Sequence, residues 1–311
     1  MSTFLTEYYE IRPYFGTTVW IHCFYKPGID IAGVSRACWQ KAENIQQNIN
    51  VHAGLKEGNL AWLNALGFEG VRVQADLYKI LSRSMEYARL TNGAYDMTIF
   101  PLVKLWQEAA VNNRLPDPDT INIAKAKVGY QNLRFVAPDQ VFFMKKGLMI
   151  DLGSPASGYF CDEVAAIMEE AGVEHFMVDG GGEIFARGLN KGEYAWKVGV
   201  QDPFHKEKVL QDIELNGRGV STSGNYEKFA LINGQKYAHI IDPRSGYPQT
   251  GAASVTVIAD STQAANEMST ALCVMGGARG IEFVRAQKNV EALIVENVEG
   301  RLAFYRTNAF L

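Results

Sequence analysis

From residue 17 to about residue 130 the apolar positions repeat mainly with a helical period. Beyond that point they fall into short runs broken by turn residues. Thr17–Tyr25 (TTVWIHCFY) is rich in β-branched and aromatic residues and predicts a strand. Residues 30–48 predict an amphipathic helix with Ile31, Val34, Cys38, Ala42 and Ile45 on one face. Residues 48–60 have no firm period and read as an ordered loop. A second helix is expected over Ala75–Leu90, with Leu77, Ile80, Leu81, Met85 and Ala88 as its apolar stripe and Thr91-Asn92-Gly93 as its stop. Residues 100–109 predict a helix that tolerates Pro101 in its first turn, and Leu115-Pro116-Asp117-Pro118-Asp119-Thr120 marks a loop and a new helix start. Strand-like runs follow at 133–137, 141–145, 148–151, 175–178, 196–200, 209–215, 237–241 and 253–259, with helices only near 158–171, 264–274 and 277–286. Strands separated by a few turn residues imply antiparallel hairpins rather than βαβ units. The expected class is α+β, antiparallel sheets flanked by helices. No low-complexity linker or internal repeat divides it, so one unit is expected over 1–311, helix-rich to about 130 and strand-rich from about 131.

Composition narrows the function without naming it. Hydrophobic residues at 47% and charged residues at 21% are ordinary for a globular chain of 311 residues. Thirty Lys+Arg against 34 Asp+Glu leave a net charge of -4, which argues against nucleic acid as a partner. Cys23, Cys38, Cys161 and Cys273 have neither C-x-x-C spacing nor the density of a disulfide framework, so reduced buried thiols are expected. No run of 18 apolar residues suggests a membrane span, and Met1 to Glu7 shows no basic region followed by an apolar one, so the expected location is cytoplasmic. Glycine stands out: 13 of 29 fall between Gly147 and Gly224.

Five segments carry candidate chemistry. Gly93-Ala94-Tyr95-Asp96-Met97-Thr98 is either a helix C-cap followed by a capping Asp, or a tight turn that sets amides and an aromatic ring against a flat ligand. Asp151-Leu152-Gly153-Ser154-Pro155-Ala156-Ser157-Gly158 runs into a helix, where amides suit phosphate oxygens. Its spacing matches neither the P-loop nor G-x-G-x-x-G, and an N-capping Ser explains it equally well. Val178-Asp179-Gly180-Gly181-Gly182-Glu183-Ile184 sets three glycines after a strand, which points to a ligand pressed against the main chain. In His239-Ile240-Ile241-Asp242-Pro243-Arg244-Ser245-Gly246 the His is either a general base for a hydroxyl or a structural residue beside a Pro turn. His22, His52, His175 and His205 have no comparable setting. On the helix at Ala265-Asn266-Glu267-Met268-Ser269-Thr270, positions 266, 269 and 270 share one face. They are either oxygen ligands for Mg²⁺ or an ordinary polar face.

Taken in order, these segments resemble the ApbE family of FAD:protein FMN transferases. The likeness runs from Phe15-Gly16-Thr17 through GAYDMT, PLVKLW, IDLGSPASGY, VDGGGEI, WKVGVQDP, STSG and HIIDPRSG to ANEMST. It implies a T-fold-related α+β unit that splits FAD at its pyrophosphate and moves FMN onto a Thr or Ser hydroxyl, releasing AMP and using Mg²⁺. The implied acceptor is a flavoprotein with a D-x-x-S/T-G/S-A-S/T motif. By resemblance Phe15, Ala94, Tyr95, Asp96, Asp151, Ser157, Gly180, Gly181, Gly182, Glu183 and Ile240 contact FAD. Ser154, through a backbone oxygen, and Asn266, Ser269 and Thr270 hold the metal, and His239 is the base. Three positions depart from the family pattern: Asn266 where Asp is usual, Ser157 where Lys is common, and VDGGGE for NAGGD. An amide brings no negative charge, and Glu267, the nearest acid, should point about 100° away around the helix. The departure at 266 motivates one alternative to transfer, an FAD-binding or sensing protein without turnover; another, an FAD pyrophosphatase, differs from transfer only in using water as acceptor.

Overall fold

The computed structural model describes residues 4–51, 54–205, 207–225, 229–298 and 301–310; His52, within the predicted loop at 48–60, lies outside them. The chain opens with a hairpin, β1 (Thr6–Tyr14) and β2 (Thr17–Tyr25), paired from Thr6↔Tyr25 to Tyr14↔Thr17. Its two-residue turn has positive φ at both positions, Phe15 (+55°) and Gly16 (+74°), as the right-handed strand twist favours. β2 matches its predicted span, whereas β1 was not predicted. β1 is an edge strand whose Glu7, Glu10 and Arg12 hide its alternation and also guard the edge against further pairing.

The helices follow the apolar stripes. α1 (Ile31–Ile49) starts under Asp30, whose carboxylate accepts from the Gly33 N–H, and buries Cys38, Trp39, Ala42 and Ile45. α2 (Leu60–Leu66), too short to show a period, is capped by Asn59. After β3 (Val71–Arg72) come α3 (Ala75–Leu90), α4 (Phe100–Val111) and α5 (Pro118–Lys125), the last capped by Asp117. β4 (Leu133–Val136) and β5 (Gln140–Phe143) join β3 in a small sheet of order β3-β5-β4. The strand predicted at 148–151 does not form. Only an isolated parallel bridge, Ile99↔Met149, forms there, with Asp151 N–H donating to Met97 O, while Asn64 holds both the N–H and the carbonyl of Ile150.

α6 (Pro155–Glu170) starts three residues earlier than predicted, with Pro155 in its first turn. Then follow β6 (His175–Asp179), β7 (Ile184–Arg187), β8 (Leu189–Asn190), β9 (Tyr194–Gln201) and β10 (Val209–Leu215). β11 (Arg218–Gly224), β12 (Phe229–Ile232), β13 (Gln235–Ala238) and β14 (Ala252–Ala259) lead to α7 (Thr262–Met275) and α8 (Gly277–Arg285). β15 (Glu291–Val298) and β16 (Arg301–Arg306) close the series. The strand predicted at 237–241 stops at Ala238, and the chain turns there to make the single bridge Ile241↔Pro248.

One sheet of order β1-β2-β6-β7-β11-β14-β15-β16 organises the molecule, every neighbour antiparallel, as the α+β reading expected. On one face α7 lies across β11 and β14, with α6 and then α1 outside it. On the other, Trp196, Val200, Ile213 and Leu215 of the β10-β9-β8 sheet pack on Phe24, Met177, Val220 and Leu293. α7 is thus an inner layer, buried along its length except at Thr270 and Met275. Among the described residues no helix is long and apolar enough to cross a membrane. All four cysteines are free and buried.

Candidate active site

A polar cluster forms where the start of α6, the β6–β7 loop, β11 and α7 meet. The buried α7 carries Asn266, Ser269 and Thr270, and buried polar groups require partners. Ser269 and Thr270 hydroxyls each donate back to the Asn266 carbonyl, at 2.9 and 3.1 Å. Asn266 Oδ1 accepts from Ser154 Oγ, which also lies 3.3 Å from Thr270 Oγ1. Ser154 occupies the N-cap position of α6 yet makes no side-chain capping bond, so its hydroxyl serves α7 instead of its own helix. Ser269 faces the other way, 2.8 Å from Ser223 Oγ. Glu183 completes the cluster, accepting from Asn266 Nδ2 at 2.9 Å and from Ser157 Oγ at 2.9 Å. Burial is the main reason its carboxyl is pushed up to about 7. Ser221 and Ser223, which sequence reasoning assigned no role, point from alternate positions of β11 at Asn266 and Ser269. The S-x-S spacing in a strand was their available signal.

The glycines serve close packing here more than an open cradle. A Cβ at Gly180 would lie 2.8 Å from the Ser157 carbonyl oxygen, and one at Gly181 would collide with Thr17 at the β1–β2 hairpin. Gly181 and Gly182 N–H groups both donate to Asp179 Oδ1, at 2.6 and 2.7 Å. Only Gly182 of the three has open space where a side chain would stand. The hairpin contact brings Phe15 beside this loop. Its N–H donates to Gln46 Oε1 at 2.8 Å and its ring leans on Phe160, which holds a bulky residue at φ +55°.

The GAYDMT segment lies inside the core. Ala94, Tyr95 and Asp96 are buried, and the Tyr95 hydroxyl donates to Ser84 Oγ at 3.2 Å. Asp96 Oδ1 accepts from the N–H and hydroxyl of Thr98, and Oδ2 from Tyr130 N–H. Burial raises the Asp96 carboxyl above its ordinary range. Asp151, beside Met97, holds the Gly153 N–H at 2.9 Å and so shapes the entry to α6. Glu267 turns away from Asn266 as its helix position requires. It sits fully buried against α3, accepts from Ser84 and Gln263, and burial pushes it up to about 8. Asp162 of α6 accepts from the first amides of α7, Thr262 and Gln263, and so locks the two helices together.

His239 stands exposed just past β13, and Ile240 behind it is buried in the main core. Ile240 O accepts from Gln249 N–H, while Asp242 and Gly246 close the DPRSG turn. Trp106 of PLVKLW donates to Gly246 O at 2.9 Å, tying α4 to this turn.

The donors that converge at Ser154, Asn266 and Thr270 are all oxygen, as Mg²⁺ demands. None of the three is a carboxylate, and among the described residues no group of three His, Cys, Asp or Glu could hold a metal ion. The set would suit a hard cation only if further oxygen ligands and most of the countercharge came from a bound molecule.

The family model described as "ApbE family" matches residues 15–294. The FAD:protein FMN transferase of Klebsiella pneumoniae is 34% identical over 235 residues, 73% of this chain and 67% of that one. The enzyme of the same name from Salmonella typhimurium is 35% identical over 228 residues, 71% and 65% of the two chains. The chain thus matches about two thirds of the length of these curated relatives. The crystal structure of the ApbE protein from Thermotoga maritima superposes with a TM-score of 0.87 at 31% identity, covering 98% of each chain.

Proposed function

This chain belongs to the ApbE family, and on that premise we propose that it transfers FMN from FAD to a Thr or Ser hydroxyl of an acceptor flavoprotein and releases AMP. The observation that carries the reading is the group at Ser154, Asn266 and Thr270, where an N-cap serine gives up its own helix to join two oxygens of α7.

The acceptor hydroxyl forms a bond to the FMN phosphorus as the bond from that phosphorus to the AMP oxygen breaks. The hydroxyl proton passes to His239, whose exposed position suits a base that must meet a macromolecular partner. Phe15, Asp151 and the open edge at Gly182 lie on the loops that would border FAD, and Ser154, Asn266 and Thr270 would hold Mg²⁺. A cation held by these residues would supply charge neutralisation for the pyrophosphate. Such chemistry asks the protein mainly for positioning and charge neutralisation. The buried α7, locked to α6 through Asp162, provides rigid positioning.

The test is incubation with FAD, Mg²⁺ and a protein bearing a D-x-x-S/T-G/S-A-S/T motif, followed by in-gel flavin fluorescence after denaturation. A fluorescent acceptor band is expected, and His239→Ala should slow its appearance by roughly 10²–10⁴-fold while FAD still binds. Release of FMN and AMP without a labelled acceptor would identify hydrolysis instead. The amide at 266 favours a second reading, FAD binding without turnover. In that case no band forms with any metal, and Asn266→Asp confers metal-dependent turnover.

A further inference from the structure

We propose that Glu183 is the positioning residue for Asn266: it decides which end of the amide faces Ser154 and Thr270. This rests on the reading that these side chains hold a divalent cation.

An asparagine can serve a cation only through Oδ1, because its other end carries two N–H donors. The two ends have nearly the same shape, so packing alone hardly distinguishes them; the hydrogen-bond partners must. Glu183 Oε1 takes a hydrogen bond from Nδ2 at 2.9 Å, and Ser221 Oγ lies 3.3 Å from the same nitrogen. If the amide turned over, Oδ1 would meet an oxygen of the ionised Glu183 carboxylate, which has no proton to share, and the N–H donors would face the cation position. In the observed orientation Oδ1 instead faces Ser154 Oγ, the hydroxyl that also reaches Thr270.

Glu183 is itself held in place from three sides. Ser157 Oγ donates to its second carboxyl oxygen at 2.9 Å, Gly180 N–H donates to its carbonyl at 2.8 Å, and Cys161 Sγ donates to the same carbonyl at 3.1 Å. A relay therefore runs from Ser157 through Glu183 to Asn266, across an interval of sequence that no local pattern spans. Outer residues that orient metal ligands in this way commonly change affinity by 10–100-fold when removed.

Binding of Mn²⁺ to the whole chain, read from loss of the free-ion EPR signal, tests the assignment without using activity. E183A should weaken binding by roughly 10–100-fold. E183Q should weaken it less than E183A, because its own amide can turn over and satisfy Asn266 in either orientation. In an N266D background, adding E183A should change little, since an aspartate presents an oxygen in either orientation. Thermal melts followed by circular dichroism show that each variant is folded, and E183Q carries the comparison if E183A is not. Wild-type affinity in E183A overturns the proposal, as does an equal loss in the N266D background. Absence of Mn²⁺ binding in the wild type, with and without FAD, overturns the cation reading and this inference with it. Binding that ignores E183A removes only the inference.

Discussion

Glu267 shows how burial sets the behaviour of a single side chain. It follows Asn266 directly, yet the helix turn aims it at α3, where Ser84 and Gln263 reach one oxygen and Oε2 has no protein partner. Burial moves its carboxyl from 4.5 to about 8. The sign of the consequence follows by linkage: between these values the folded chain keeps a proton that the unfolded chain has lost. Its contribution to stability is complete below pH 4.5 and is lost as pH rises through about 8. Asp162, pushed up to about 6, and Glu183, to about 7, act in the same direction. Glu267→Gln has nothing to ionise, so its melting temperature should gain on the wild type as pH rises from about 5 to 8.5. Parallel melting curves for the two proteins across that range would contradict the assignment.

At the scale of elements, the site depends on how closely α6 and α7 approach. Gly158 makes this possible: a Cβ there would stand 2.9 Å from Gln263 Cα and from the Thr262 carbonyl oxygen. In an isolated helix Gly→Ala is favourable by about 1 kcal/mol, but backbone cannot yield as a flexible side chain would. Gly158→Ala should therefore destabilise the fold, by about 1–3 kcal/mol, and separate Ser154 from Asn266. The urea midpoint measures the first effect, and Mn²⁺ affinity the second. The elements differed in how readable they were. α3 and β2 carried strong, uninterrupted patterns and lie where predicted. β15 is a continuous apolar run (ALIV), which periodicity cannot separate from helix, and β1 has its charges on an exposed edge. The residues at 148–151 looked like a strand because Leu148, Met149 and Ile150 form an apolar run, but Asn64 rather than a neighbouring strand satisfies Ile150.

For the whole molecule, the helix-rich and strand-rich halves of the sequence are not halves of the structure. β2 pairs with β6, and one apolar core runs from Val19 to Ile294. The chain is expected to melt in one calorimetric transition with matching calorimetric and van't Hoff enthalpies; two separable transitions would show that the halves are independent. Local pattern was enough for every helix but α2, about half of the strands and the α+β class, because periodicity and capping are properties of neighbouring residues. Ordered motifs were enough for the family. Tertiary structure alone decided which polar groups face one another. Asn266 meets Glu183 and Ser154 rather than Glu267, and Tyr95 turns inward to Ser84. Of the three glycines after β6, Gly180 makes room for α6 and Gly181 for Thr17. These outcomes come from long-range contacts across a sheet and between two helices, and the spacing of residues along a chain contains no term for them.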